Sequence, residues 1–292
     1  MRALFLVNPR ARRVAKRGSA LRSVADKTGT PLRLLDENFA PGASADRVYI
    51  EGGDGTVRWV ISRYIETGGA LPEFAVVRGG TTDQIAGVLG LRRPTNAGIV
   101  RSLEEGPATL ASRLIRVESE RRVEHGFVFS TGAIPNATRR IESYKGLADL
   151  SGAALVGRAL IDAARPNSPL LEASPARVEA DLPGEHVVFD GEHVGVIATP
   201  LPSLYMGLDP FWGEEPGNLR VTYAGADAHA VLRSLAGLWA GRVDVATLRA
   251  RGFESFNTSR LSVRATGAVL DGETLEGERF TLSCTPEVRF FR

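Results

Sequence analysis

Residues 47–65 read RVYIEGGDGTVRWVISRYI, and the reading of the whole chain turns on them. The apolar run Val48-Tyr49-Ile50 fits a short buried strand. Glu51-Gly52-Gly53-Asp54-Gly55-Thr56 follows. Beyond it, Val57, Val60, Ile61, Tyr64 and Ile65 recur at the three-to-four spacing of one helix face. The glycines therefore sit at the carboxyl end of a strand and open a helix, which is where open α/β sheets take their ligands. Gly52, Gly53 and Gly55 can adopt positive φ and let a phosphate approach the backbone. The helix start offers N–H groups and the positive end of its dipole, and Thr56 adds a hydroxyl. Asp54 is the informative residue, since a bare anion cradle has no use for a carboxylate. It points to a magnesium ion, held directly or through water, or to a group polarised at the reacting end. The same letters also spell a Gly-Gly-Asp-Gly turn that caps a helix.

On the amino-terminal side, Ala3-Leu4-Phe5-Leu6-Val7 reads as a buried first strand. It stops at Asn8-Pro9, a pair that breaks a strand and turns the chain. Arg10, Arg12, Arg13, Lys16 and Arg17 then form a basic loop, suited to phosphate by charge and by arginine's fork, or simply solvated. A helix is predicted over residues 19–27 with Leu21 and Val24 inward, and a second strand over residues 31–35. On the other side, Phe74-Ala75-Val76-Val77 is another apolar strand. Arg78-Gly79-Gly80-Thr81-Thr82-Asp83-Gln84 repeats the arrangement of a Gly/Thr turn that leads from strand to helix. Two such loops on neighbouring parallel strands face one crevice. Strands and helices alternating this regularly predict a doubly wound sheet.

From about residue 110 the pattern changes. Short strands with turn signals dominate: 114–117, 124–130, 176–180, 187–189, 194–198, 219–223, 259–265, 269–270 and 280–283. Helical stretches are predicted over residues 135–164 and 228–238. This describes an all-β sandwich with helical insertions. Asp190-Gly191-Glu192 and Asp271-Gly272-Glu273 both read as hairpin turns between strands.

At 292 residues the chain has room for two cored domains. Its net charge of +2 gives no general affinity for nucleic acid. Lysine occurs only at 16, 27 and 145, an arginine bias we attribute to genome composition. The single cysteine, Cys284, excludes an internal disulfide and a multi-cysteine metal site. No apolar run approaches membrane-spanning length, and the stretch 3–7 is too short for a signal peptide, so the expected location is cytoplasmic.

The order of motifs carries a resemblance. Asn8-Pro9 follows the first strand, GGDGT lies at 52–56, a Gly-Thr turn lies at 80–81, and Asp271-Gly272-Glu273 lies near the end of the β region. This resembles the diacylglycerol kinase catalytic-domain family, which includes bacterial lipid kinases and sphingosine kinases, over almost the whole chain. NAD kinases share GGDGT, but their Asn-Glu pair after the second glycine turn is missing here. The resemblance implies a Rossmann-like α/β nucleotide domain over residues 1–115, completed by 285–292, and a β-sandwich substrate domain over 116–284. ATP and the active site then lie in the cleft between them. It implies that Asn8 and Arg12, the loop Gly52, Gly53, Asp54, Gly55 and Thr56, and the turn Gly80-Thr81 contact ATP, which arrives with Mg2+. It also implies that Asp271 or Glu273 accepts the proton of a lipid hydroxyl.

The departures from the family are specific. Arg58-Trp59 stands where relatives have Asn-Glu, and Thr82-Asp83-Gln84 replaces Gly-Asn-Asp. Ala198-Thr199-Pro200-Leu201 occupies the place of an Asn and glycine cluster. Glu215-Pro216-Gly217 stands where bacterial members have the Asp-Asp-Gly of a structural magnesium site, and the metal ligands are left unassigned. The first reading is an ATP-dependent kinase acting on a lipid hydroxyl such as that of diacylglycerol. Its rivals are a kinase for a non-lipid alcohol or NAD, and a non-catalytic nucleotide-binding protein on the same fold. The stretch Leu201 to Trp212, rich in apolar and aromatic residues, reads either as a transient membrane or acyl-chain contact or as core filling. The oligomeric state is not legible.

Overall fold

Continuous runs of buried side chains mark the strands of the first sheet, as in parallel sheets covered on both faces. The computed structural model describes residues 2–42, 45–79, 84–91, 95–104, 109–144, 168–204, 207–226, 234, 237 and 244–291. Within it, β1 (Ala3–Val7), β2 (Leu32–Leu34), β3 (Arg47–Gly52), β4 (Glu73–Arg78), β5 (Thr109–Ser112) and a C-terminal strand, Val288–Phe291, form one sheet. The order is β2-β1-β3-β4, then the C-terminal strand, then β5. The first four are parallel; the C-terminal strand runs parallel to β4 and antiparallel to β5.

Helices α1 (Arg12–Arg17), α2 (Ala20–Thr28), α3 (Asp54–Glu66), α4 (Gln84–Val88) and α5 (Asn96–Glu104) belong to the same unit. Side chains two apart on a strand share a face. Phe5, Tyr49 and Ala75 thus pack with Leu21 and Val24 of α2 and Ile99 of α5. Phe74, one residue before Ala75, meets Tyr64 of α3 on the other face, with ring centroids 5.5 Å apart. Helices on both faces make the sheet doubly wound, as the apolar runs predict. The C-terminal strand is held by Phe291, whose ring lies 5.0 Å from Tyr49 and 5.0 Å from the Arg47 guanidinium. The basic stretch read as a loop is instead the short helix α1, closed by Gly18 at φ 78°.

The second unit, 114–285, is distinct from 1–113 with 286–292. Its strands are β6 (Ile115–Ser119), β7 (Val123–Gly126), β8 (Phe129–Thr131), β9 (Ser174–Leu182), β10 (Glu185–Thr199), β11 (Leu219–Gly225), β12 (Phe253–Thr258), β13 (Arg260–Ala265), β14 (Ala268–Leu270), β15 (Glu273–Leu275) and β16 (Arg279–Cys284). Their order is β15-β14-β8-β10-β9-β13-β16-β6-β7, with β11 on β10 and β12 on β11. The long strand β10 pairs with different neighbours along its length. Residues 185–193 pair with β9, residues 193–199 pair with β11, and the register shifts between His193 and Gly195. Such a bulge bends the strand and lets the sheet curl. Phe129, Val196, Val221 and Phe256 pack with Val178, Leu261, Phe280 and Leu282 in one core.

Two expectations change here. The strands read at 187–189 and 194–198 are one strand, and Asp190-Gly191-Glu192 lies inside it rather than in a turn. Pairing with β9 overrides the turn letters: Asp190 lies opposite Arg177, with a 2.7 Å ion pair, and Gly191 carries the φ of 137°. The turn is two residues long at 183–184, with Gly184 at φ 81°. Of the helix read at 135–164, the structure describes Ala133–Tyr144, labelled α6; 145–164 lies outside the described residues. The helix read at 228–238 does too, apart from Ser234 and Gly237. A short helix, Val245–Arg249, caps itself with Asp244.

Candidate active site

In the first unit, the ends of four parallel strands coincide. Val7 pairs with Leu34 and with Glu51, and Gly52 pairs with Arg78. The chain leaves β1 outward to β2 and returns past β1 to β3. The strand order therefore reverses between β1 and β3, the position at which open sheets bind ligands. Asn8 and the GGDGT loop meet there.

Asn8 joins the two sides of that crevice. Its N–H donates to Glu51 O at 2.9 Å, and its Oδ1 accepts from the N–H of Arg10 at 2.9 Å, fixing the turn. Its Nδ2 donates to Thr56 Oγ1 at 2.8 Å, stapling the end of β1 to the first turn of α3. Gly53 is the N-cap of α3 and offers no side-chain cap, so backbone, the Thr56 hydroxyl, the Asn8 amide and the Asp54 carboxylate edge the helix start.

The glycines serve closeness rather than unusual φ. Gly53 sits at φ −92°, ψ −179°, and Gly52 and Gly55 also stay out of the left-handed region, contrary to the role read for them. A Cβ on Gly52 would lie 2.6 Å from Thr56 Cβ and 2.7 Å from its Oγ1. A Cβ on Gly79 would lie 3.0 Å from Gly52 N, and the Gly79 N–H donates to Gly52 O at 2.9 Å. The two glycine loops thus touch backbone to backbone. Gly80 and Thr81 lie outside the described residues.

Asp54 is the first residue of α3. Its Oδ1 accepts from the N–H of Ile85 at 3.0 Å, so the motif carboxylate ties the first loop to the start of α4. Glu51, 4% exposed, plays the same part toward α2: it accepts from Ser19 Oγ and from the N–H groups of Ala20 and Leu21 at 2.9 and 3.1 Å. An acid at a helix start is matched to its dipole. The only sequence signal for Glu51 is a charge placed directly after an apolar strand. Arg12 opens α1 and is exposed. The rim also borders an open groove of about 540 Å³.

In the second unit, Asp271-Gly272 is a two-residue hairpin turn between β14 and β15. Leu270 pairs with Glu273, and φ is 52° at Asp271 and 84° at Gly272. Positive φ at both positions is the hairpin signature. The carboxylate does more than turn the chain. Its oxygens accept from Phe127 N at 2.9 and 3.1 Å and from Val128 N at 2.8 Å, while Asp271 N donates to Val128 O at 2.8 Å. These two amides fix the orientation of the carboxylate. Glu273 is exposed on the same hairpin.

Other singled-out residues lie in the second unit. Glu215 accepts from Asn257 N at 3.0 Å. Leu201 and Phe211 are buried; Arg220 spans their loop, donating to Asp209 at 2.9 Å and to Phe211 O at 3.2 Å. Tyr205 and Met206 lie outside the described residues. Among the described residues no group of three or more His, Cys, Asp or Glu is arranged to hold a metal, and no helix is long and apolar enough to cross a membrane. His193 is fully buried at the β10 bulge. Its Nδ1 lies 2.8 Å from Ser174 O and its Nε2 lies 2.7 Å from Thr131 Oγ1, which makes Nδ1 the protonated nitrogen; burial pushes its pKa below the usual histidine value.

Residues 2–112 match the family model of the diacylglycerol kinase catalytic domain. That stretch holds every glycine-loop residue discussed above, and the resemblance read from GGDGT is borne out over it. A search of curated proteins found no match. Among solved structures, a Bacillus anthracis strain Sterne protein provisionally called a diacylglycerol kinase superposes with a TM-score of 0.66 at 14% identity, covering 99% of this chain and 95% of that one. A diacylglycerol kinase of the same strain gives 0.59 at 13% identity, covering 99% and 96%. At such identities these likenesses carry the two-domain fold and no more. The domain match supports a kinase of this family.

Proposed function

We propose that the protein transfers the γ-phosphate of ATP to a lipid hydroxyl such as that of diacylglycerol. One observation carries this reading: Asn8 Nδ2 and Thr56 Oγ1 meet at 2.8 Å across the β1/β3 switch point, beside a helix start whose N-cap is a bare glycine. Phosphoryl transfer asks the protein mainly to position and neutralise charge. In this reading Asn8, Arg12, Gly52, Gly53, Gly55 and Thr56, with Gly80 and Thr81, bind the phosphates. Gly52 and Gly79 keep the loop thin enough for backbone to reach them. Asp54 holds the two loops in register through Ile85. Magnesium, arriving with ATP, supplies charge neutralisation; its protein ligands are not assigned.

The 1–115 and 285–292 portion acts as the nucleotide domain and 116–284 as the acceptor domain. Asp271 is the proposed base for the acceptor hydroxyl, held in one orientation by the amides of Phe127 and Val128; Glu273 is the second candidate. The protein is placed in the cytoplasm with transient contact at a membrane surface, where its acceptor resides. A second reading, nucleotide binding without transfer, is favoured by the service both Asp54 and Asp271 give to backbone amides. The test is ATP consumption in mixed micelles. The kinase reading expects a rate that climbs with added diacylglycerol. ATP binding with no turnover on any lipid favours the second reading.

A further inference from the structure

The last residue of β4 is a half-buried arginine. Arg78 lies opposite Gly52, the first glycine of the GGDGT loop, in the pairing of β3 with β4. Its neighbour Gly79 donates to Gly52 O at 2.9 Å and accepts from Arg13 N at 3.1 Å, so Arg78 leaves the sheet where the two glycine loops touch. Side chains two apart on a strand share a face. Arg78 therefore lies on the side of Phe74, the side that α3 covers. Its Nη2 donates to Leu91 O at 2.9 Å, just past α4. Its Nε is buried and meets no acceptor among the described residues, and no carboxylate there pairs with it. Charges withdrawn from water are normally paired, because desolvation penalises them otherwise. Arg47 and Arg220 follow that rule. Arg47, at the amino end of β3, has Glu73 at 2.9 Å and Ser102 O at 2.6 Å, and Arg220 has Asp209 at 2.9 Å. Arg78 departs from it at the carboxyl end of the sheet, where open α/β folds take their ligands.

We propose that Arg78 binds a phosphate of the nucleotide, its Nε–H donating to a phosphate oxygen. The inference rests on the nucleotide reading of the glycine loops and adds to them a fixed positive charge. The loop 52–56 contains no cation, and its one charged side chain, Asp54, is negative. Backbone N–H groups and a hydroxyl alone would have to hold a polyanion beside that carboxylate. A guanidinium from the adjoining strand offsets both charges, and its planar fork matches phosphate oxygens. The bond to Leu91 O holds the guanidinium before the nucleotide arrives, so less side-chain freedom is lost on binding.

Calorimetric titration of wild type, Arg78→Lys and Arg78→Gln with ATP and with inorganic tripolyphosphate, at one magnesium concentration, tests it. Glutamine keeps a donor for Leu91 O and loses the charge, whereas lysine keeps both. Arg78→Gln should weaken both ligands by about 10- to 150-fold, the range for a hydrogen bond to a charged group. Arg78→Lys should bind tripolyphosphate at least about fivefold more tightly than Arg78→Gln. A side chain that only supports Leu91 gives equal affinities in the two variants, and that result overturns the proposal. A second readout uses the wild type and holds even if Arg78→Gln does not fold. The Arg78 Nε–H resonance, identified by its absence from the Arg78→Lys spectrum, should shift on saturation with tripolyphosphate; a resonance that stays in place overturns the proposal. Wild type that binds ATP and tripolyphosphate, with Arg78→Gln binding them equally well, removes Arg78 and leaves the glycine loops standing. Wild type that binds neither overturns the nucleotide reading and the assignment of Arg78 with it.

Discussion

Gly52→Ala is the smallest change that reaches the core of the site. The added methyl would lie 2.6 Å from both Cβ and Cγ2 of Thr56 and 2.7 Å from its Oγ1, whereas carbon contacts prefer about 3.5–4.0 Å. Gly52 ends a buried strand and cannot step aside, because its carbonyl accepts from Gly79 and its neighbour Glu51 O accepts from Asn8. Thr56 must move instead, and its hydrogen bond from Asn8 is lost. Overpacking of this kind costs about 1–3 kcal/mol, and the lost hydrogen bond about 0.5–1.5 kcal/mol. We therefore expect a loss of about 1.5–4.5 kcal/mol, read by urea denaturation as a lower midpoint with an unchanged slope. Thr56→Gly removes every atom in the clash. In Gly52→Ala/Thr56→Gly the two losses should fall short of additive by at least about 1 kcal/mol. A Gly52→Ala protein within about 0.5 kcal/mol of wild type, or strict additivity in the double variant, would refute the close-approach account.

Gly53→Val should fold, since φ −92° with an extended ψ suits any residue, and should abolish ATP binding by filling the phosphate space; unchanged calorimetric affinity removes this loop from the site. Asp271→Asn tolerates the positive φ of 52° and should cut turnover by about 10²- to 10⁴-fold with ATP affinity changed less than about tenfold. If it is silent, Glu273→Gln tests the next base, and two silent variants in an active enzyme reduce the hairpin to a turn. His193 should make the second unit acid-sensitive. Its folded pKa lies below the usual 6.5, so the stabilisation is intact above about 6.5 and is lost as pH falls from there through the depressed folded value, by at most about 1.4 kcal/mol per pH unit. Denaturation midpoints at pH 7.5 and 5.5 should therefore differ less in His193→Gln than in wild type, and an equal difference in the two proteins contradicts this.

Much of the fold was legible because apolar runs and their periodicity report burial directly. Val48-Tyr49-Ile50 and Phe74–Val77 proclaim buried parallel strands, and Val57, Val60, Ile61 and Tyr64 one helix face. Asp190-Gly191-Glu192 departs from its turn letters because they are a local signal, while its strand is fixed by pairing with residues 174–182. The role of Glu51 was hidden because its partners, Ser19 to Leu21, lie some thirty residues earlier. Asp54 was read for a metal, and its bond to Ile85 depends on where a second loop returns. The glycines were right in kind but wrong in reason: nearness of backbone, set by tertiary packing, not φ, excludes a side chain at Gly52 and Gly79.

The central claim is phosphoryl transfer to a lipid hydroxyl, and the direct measurement is transfer of radiolabel from the γ-phosphate of ATP to a panel of lipids in mixed micelles. Gly53→Val serves as the blank. The account predicts a labelled phospholipid product from wild type, with diacylglycerol among the acceptors, and none from the blank. A folded wild type that binds ATP yet labels no lipid across the panel would contradict it.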